Sequence, residues 1–239
     1  MALIKANTHF PYITTIIVFT ALVIMLFLGF WQLQRMDEKQ QRIAHIEQAK
    51  QQATLSLPKV ISEVLHYQDY QAHATGSFTE TLFYIDNKLH GGKPGFYVLA
   101  PFNTSYGVLM VNMGWIENKG ARGEMPSIKL PSNRGELTRL EGIVYIPTNN
   151  AFVKETNQAF GQFPALLQEL DLAQISQHLN TEVLPFVLRL LPNDSTDLVR
   201  EWKVMSMQPE KHLAYAIQWF GLAVAGLTIF LISLRKRSS

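Results

Sequence analysis

Two charge-free stretches, one at each end of the chain, constrain the fold more than any other feature. Between Lys5 and Arg35 no side chain carries a full charge. The segment Tyr12 to Phe30, YITTIIVFTALVIMLFLGF, can cross about 30 Å of hydrocarbon at about 1.5 Å per residue. The second stretch runs from His212 to Leu234, with the core LAYAIQWFGLAVAGLTIFLISL. A buried helix of a soluble protein seldom reaches such length without a polar face, so both stretches are read as transmembrane helices. The first is not read as a cleaved signal, because its apolar region is too long and no A-x-A-like site follows it. The chain continues instead as WQLQRMDEKQQR. The opening MALIKANTHFPY has a single charged side chain, Lys5, unlike an Arg- and Ser-rich mitochondrial presequence, which favours a bacterial inner membrane.

Orientation follows from the short tails, since a long intervening domain translocates largely regardless of its charges. Arg235, Lys236 and Arg237 form a short basic tail beside the second span and place both termini in the cytoplasm, with the central domain periplasmic. Arg35, Lys39 and Arg42, just past the first span, argue the other way, partly balanced by Asp37 and Glu38. The expected organisation is a cytoplasmic tail over 1–11, a transmembrane helix over 12–31, a helical extension over 32–56, a periplasmic β-rich domain over 57–210, a second transmembrane helix over 211–234 and a basic tail over 235–239.

The middle of the chain carries short β-rich runs: LFYID, FYVLAPF, GVLMVNMGWI, LTRLEGIVYI, VLPFVLRL and REWKVM, with breakers such as GGKPG between them. Helical stretches between them are few. The fold class is therefore membrane α+β: two transmembrane helices flanking an antiparallel sheet or a partly open barrel, with one helix expected around Pro164 to Leu179. In GVLMVNMGWI, Leu109, Val111, Met113 and Trp115 share one strand face, and Met110, Asn112, Gly114 and Ile116 the other. Gly114 leaves a gap that reads either as close approach by a partner or cofactor or as a bulge or turn at the strand end.

A net charge of +2 and the absence of Lys/Arg blocks with interleaved aromatics argue against nucleic acid as a partner. With no cysteine there are no disulfides, and no thiolate is available for copper, haem attachment or redox exchange. No G-x-S-x-G, H-E-x-x-H, Walker or G-x-G-x-x-G motif occurs, and enzymatic activity is not expected. His66 and His73 would point to opposite faces of a strand and make a poor metal pair. His212 heads a helical stripe with Tyr215 and Trp219 at i+3 and i+7. An imidazole there can ligate haem iron with aromatic side chains against the porphyrin; the alternative is an aromatic belt at the membrane interface. Trp31 and Arg35 share a face just beyond the first span, and Gly221 with Ala225 offers a small-xxx-small pattern for helix packing.

Four ordered blocks resemble the surfeit locus protein 1 family, the membrane-bound assembly factors of haem-copper cytochrome c oxidase. G-x-W-Q-L-x-R appears as Gly29, Trp31, Gln32, Leu33 and Arg35. P-G-Y-x-V-x-x-P appears as Pro94, Gly95, Phe96, Val98 and Pro101, and V-N-R-G-W as Val111, Asn112, Met113, Gly114 and Trp115. H-x-x-Y-A-x-x-W-F appears as His212, Tyr215, Ala216, Trp219 and Phe220. The resemblance implies a role in maturing the oxidase's largest subunit by delivering or stabilising haem a, bound transiently. It also implies His212 as iron ligand with Tyr215 and Trp219 beside it. Trp31, Arg35, Asn112, Gly114 and Trp115 are then candidate partner contacts. The implied partners are the largest oxidase subunit, haem a synthesis enzymes and membrane lipid. Met113 stands where the family has arginine, and Lys88 near another such position, which marks a divergent branch. A tethered scaffold that binds no cofactor is the alternative.

Overall fold

The computed structural model describes residues 12–120, 124–128, 137–148, 161–192, 197–202 and 207–238. The tail expected over 1–11 and residues 203–205 of the REWKVM run lie outside them. In chain order the elements are α1 (Tyr12–Gln51), β1 (Leu55–Ser56), α2 (Leu57–Ser62), β2 (Gln71–Phe78), β3 (Phe83–His90), β4 (Lys93–Thr104), β5 (Gly107–Glu117), β6 (Thr138–Tyr145), β7 (Ala165–Leu167), α3 (Leu172–Leu179), β8 (Val183–Leu190) and α4 (Pro209–Ser238). They fall into two compact units, Met1–His45 with Lys203–Ser239, and Ile46–Trp202.

The helical unit is apolar and uncovered. α1 and α4 contain stretches of mean hydropathy 2.6 and 2.0 in which only 6% of residues are buried. Phe19, Phe27, Ile217 and Ile229 all project outward with more than half their surface free. Such side chains suit lipid, and a helix satisfies its backbone internally where no water is present. The chain is therefore a membrane protein. α1 runs on past its apolar part because its polar residues pair one turn apart: Arg35 with Glu38 at 2.7 Å, and the Gln41 amide with Asp37 at 2.7 Å. Pro58 then occupies the first turn of α2, where its missing N–H costs nothing.

The second unit is a five-stranded barrel with additions. Its strands close in the order β2-β6-β8-β5-β4 and back to β2. The closing pair is short, Gly76, Ser77 and Phe78 opposite Thr104, Asn103 and Phe102. Four of the five pairings are antiparallel, and β5 with β8 is parallel. This connectivity is that of an OB-fold Greek-key barrel, the closed form of the two arrangements expected from the sequence. Alternation along each strand fills the interior with Val98, Phe102, Leu109, Val111, Phe186 and Leu188, all buried. The opposite side chains of β4, β5 and β8, among them Leu99, Met110 and Val187, form a second core under β3, β7 and α3.

The helix expected around Pro164 to Leu179 is shorter. Ala165–Leu167 pairs in parallel with Phe83–Ile85 as a strand, and α3 begins only after Asp171. The reason is local: the Asp171 carboxylate accepts the amide hydrogens of Ala173 and Gln174, fixing the helix start there. Asn180 in the left-handed conformation ends it.

Phe102 lies at the barrel closure, fully buried and edge-on to Phe78 at 4.9 Å between ring centroids. Phe102→Ala is expected to cost about 3–5 kcal/mol, read as a lowered urea midpoint of the barrel transition of the full chain in detergent. An unchanged midpoint would contradict the barrel interior drawn above.

Candidate functional site: a buried imidazole between two apolar helices

α1 and α4 meet along a seam of small and flat residues. A Cβ on Gly29 would lie 2.6 Å from the ring of Phe220, so glycine there lets the ring seat against the α1 backbone. Phe30 meets the same ring edge-on at 5.3 Å. Beyond its first residue, Pro209, the buried positions described on α4 are His212, Ala216 and Ala223, spaced four and seven apart on one helical face. Gly221 and Ala225, the small pair expected to mediate packing, do not do so. Nothing lies within 4 Å of a Cβ built on Gly221, and Ala225 is exposed, because the face holding His212 sets the phase of the seam.

His212 is only 9% exposed, and its Nδ1 lies 2.8 Å from the Gln32 side-chain oxygen of α1. With an amide oxygen facing it, Nδ1 carries the hydrogen and Nε2 carries the lone pair. That Nε2 is buried and has no hydrogen-bonding partner among the described residues. Tyr215, one turn on, is 44% exposed, while Trp219 is half-buried at the flank of the seam. The stripe His212–Tyr215–Trp219 thus runs from the helix seam outward. Trp31 is 41% exposed and lies off the seam, with the Arg35 guanidinium 5.7 Å from its ring centre and also bonded to Glu38. Among the described residues no three His, Asp or Glu side chains converge as a metal cluster.

In the barrel unit, Asn112, Gly114 and Trp115 are brought together at a β-bulge. The register between β4 and β5 jumps from Val98 opposite Gly114 to Leu99 opposite Asn112, leaving Met113 over. The Asn112 side-chain oxygen accepts the Gly114 amide hydrogen at 3.1 Å, and Gly114 has φ +136°, open only to glycine. Trp115 exchanges both backbone hydrogen bonds with Val199, at 2.7 and 2.8 Å, and its indole N–H donates to the Lys88 carbonyl at 2.8 Å. Arg200 donates from Nε to the Met113 carbonyl at 2.8 Å and from Nη1 to the Leu191 carbonyl at 3.0 Å. These residues fasten the segment 197–202 across β5 and β8. Met113 itself is 1% exposed in the barrel interior, so at this position the side chain is core and a guanidinium has no place there.

Sequence reasoning missed the contacts of two polar residues, Gln32 and Arg189. Gln32 stands inside a quoted motif, yet no spacing reveals that it meets a ring 180 residues away. Arg189 stacks on Tyr145 at 3.3 Å from the ring centre, with Trp202 at 5.4 Å; burial disfavours its charge, which Tyr145, Tyr97 and Asp69 partly support. Its outward phase in VLPFVLRL was the only available signal. Lys88 is pushed below the ordinary lysine range, first by burial and further by Arg189, against the opposing pull of Glu169 and Asp86.

Fold and site together define a membrane protein in which two apolar helices shield one imidazole and a cysteine-free barrel forms the other unit. Comparison with known proteins places it further. The sequence pattern of the SURF1 family matches residues 19–224, and the chain belongs to that family. It is similar to the SURF1-like protein of Rickettsia felis, 27% identical over 93% of this chain and 97% of the relative. It is likewise similar to those of Rickettsia conorii, 27% identical over 93% and 92%, and Rickettsia bellii, 27% identical over 95% and 92%.

The Lys88 environment predicts a pH effect. A lysine whose folded pKa is lowered binds its proton more weakly in the folded than in the unfolded chain, so its penalty fades as pH rises through that lowered pKa. Lys88→Met is expected to be more stable than the parent at neutral pH, with the gap narrowing in alkali. Tyr84 and Tyr97, which burial raises, are common to both chains and cancel in the difference. A gap that stayed constant from neutral to alkaline pH would contradict this account.

Proposed function

We propose that this chain is an assembly factor for haem-copper cytochrome c oxidase, assisting insertion of haem a into the largest subunit or its stabilisation there. The observation that carries the reading is the His212 ring, with Nδ1 engaged by Gln32 and Nε2 buried with its lone pair unused. A single neutral imidazole with an unprotonated nitrogen is a donor that could hold a haem iron. The haem would bring a Lewis-acidic iron and a broad apolar macrocycle. His212 Nε2 would hold the iron, and Tyr215 and Trp219 would lend flat aromatic surface next to it. The chain converts no substrate: it holds, orients and lets go. Release would follow if a partner offered the iron a fuller ligand set, since a ligand moves toward the state that binds it better.

Membership in the SURF1 family supports the oxidase as destination, on the motif resemblance already described. The basic tail Arg235, Lys236, Arg237 supports cytoplasmic termini and a periplasmic barrel in a bacterial inner membrane. The partners in this reading are the largest oxidase subunit, haem a synthesis enzymes and membrane lipid.

Purified full-length protein supplied with haem a is expected to give a Soret band that His212→Ala weakens at least about tenfold, since losing even an outer partner of a ligating histidine commonly costs 10–100-fold. A spectrum unchanged by the substitution would remove His212 from the mechanism. Co-purification with oxidase subunits and no haem signal at all would favour the cofactor-free scaffold.

A further inference from the structure

We infer that Gln32 is a positioning residue that selects the tautomer of His212 and thereby presets Nε2 as an open donor. The inference deepens the haem reading above and rests on it for the ligand, whereas the tautomer is a property of the chain alone. In free histidine the hydrogen sits mainly on Nε2, the nitrogen whose lone pair a metal would need. Here the 2.8 Å contact from Nδ1 to the Gln32 oxygen holds the hydrogen on the other nitrogen. The contact is sheltered, because both side chains lie on the seam of α1 and α4, within one turn of Gly29 and Ala216, and His212 is nine-tenths buried. The amide oxygen is the acceptor that decides the tautomer.

The choice of glutamine also sets the strength of the donor. A carboxylate at this place would draw the Nδ1 hydrogen harder and raise the basicity of Nε2. It would also put a charge between two apolar helices. A neutral amide fixes the same tautomer with a gentler pull, which suits a site that must give up what it holds. Gly29 adds to this, since the close approach that seats Phe220 keeps Gln32 within reach of the ring.

The test uses the full chain in detergent micelles with nitrogen-15-labelled histidine and no haem, the His212 signals being identified by their loss in His212→Ala. The parent is expected to show Nδ1 protonated and Nε2 unprotonated. Gln32→Leu is expected to move the hydrogen to Nε2, and Gln32→Glu to return it to Nδ1. The other five described histidines, His45, His66, His73, His90 and His178, report whether each variant keeps its fold. Retention of the parent tautomer in Gln32→Leu would overturn the inference. A haem a titration follows on the same samples: Gln32→Leu should bind about 10–100-fold more weakly, and Gln32→Glu at least as tightly and with slower loss to excess imidazole. Unchanged affinity in Gln32→Leu despite a shifted tautomer would also overturn the positioning role. If the tautomers respond as expected but the parent binds no haem, the haem reading fails and the tautomer assignment stands. If haem binds and neither tautomer nor affinity responds to Gln32→Leu, the reverse holds.

Discussion

A polar ring buried between two apolar helices costs stability for each hydrogen-bonding atom left unpaired, because hydrocarbon offers no water to pair it. In this chain Gln32 satisfies one nitrogen of His212 and leaves the other without a partner. That pairing fixes how α1 and α4 face each other along the seam that also holds Gly29, Phe220, Ala216 and Ala223. The half-satisfied ring costs stability, since a buried acceptor with no donor forgoes its hydrogen bond. A site retained at such a cost is a natural place for function, and the proposed iron donor makes use of the atom that is left over.

The barrel answers a different constraint. With no cysteine to staple it, the unit must be held by closure and packing alone. Closure comes from three residue pairs between β2 and β4, and packing from two cores on opposite sides of the same strands. The segment 197–202 completes it, bonded to β5 through Val199 and Arg200 and to the end of β8 through Trp202, whose indole donates to the Leu190 carbonyl. This segment also explains the Asn112–Trp115 motif. The bulge turns Gly114 toward Leu198 and Val199, close enough that a Cβ would meet the Leu198 side chain at 2.9 Å. The gap that the sequence leaves open to a partner is therefore approached by the chain itself.

The two apolar spans and most strands were legible because length without charge and alternation with turn residues are direct signals. The barrel was legible as one of two arrangements, but its strand order was not. It depends on a parallel pairing of β5 with β8, whose intervening elements include β6, β7 and α3, and no local pattern records such a return. The helix over 164–179 was overextended because an apolar run after proline looks alike in a short strand and a helix, and only the Asp171 cap separates them. Gly221 and Ala225 carried the right residue type at the wrong phase, since the seam follows His212 and Gly29. His212 could be singled out as a ring at the mouth of a span, yet its acceptor lay on the other helix, where sequence distance gives no hint of contact.

The central claim is that this chain serves the completion of a haem-bearing oxidase subunit. The most direct measurement is the reduced-minus-oxidised optical spectrum of membranes from cells with and without the protein, with the amount of largest subunit measured in parallel. The account predicts that membranes lacking the chain lose most of the haem a signal per unit of subunit, and that restoring the chain brings it back. An undiminished haem a signal in its absence would contradict the account.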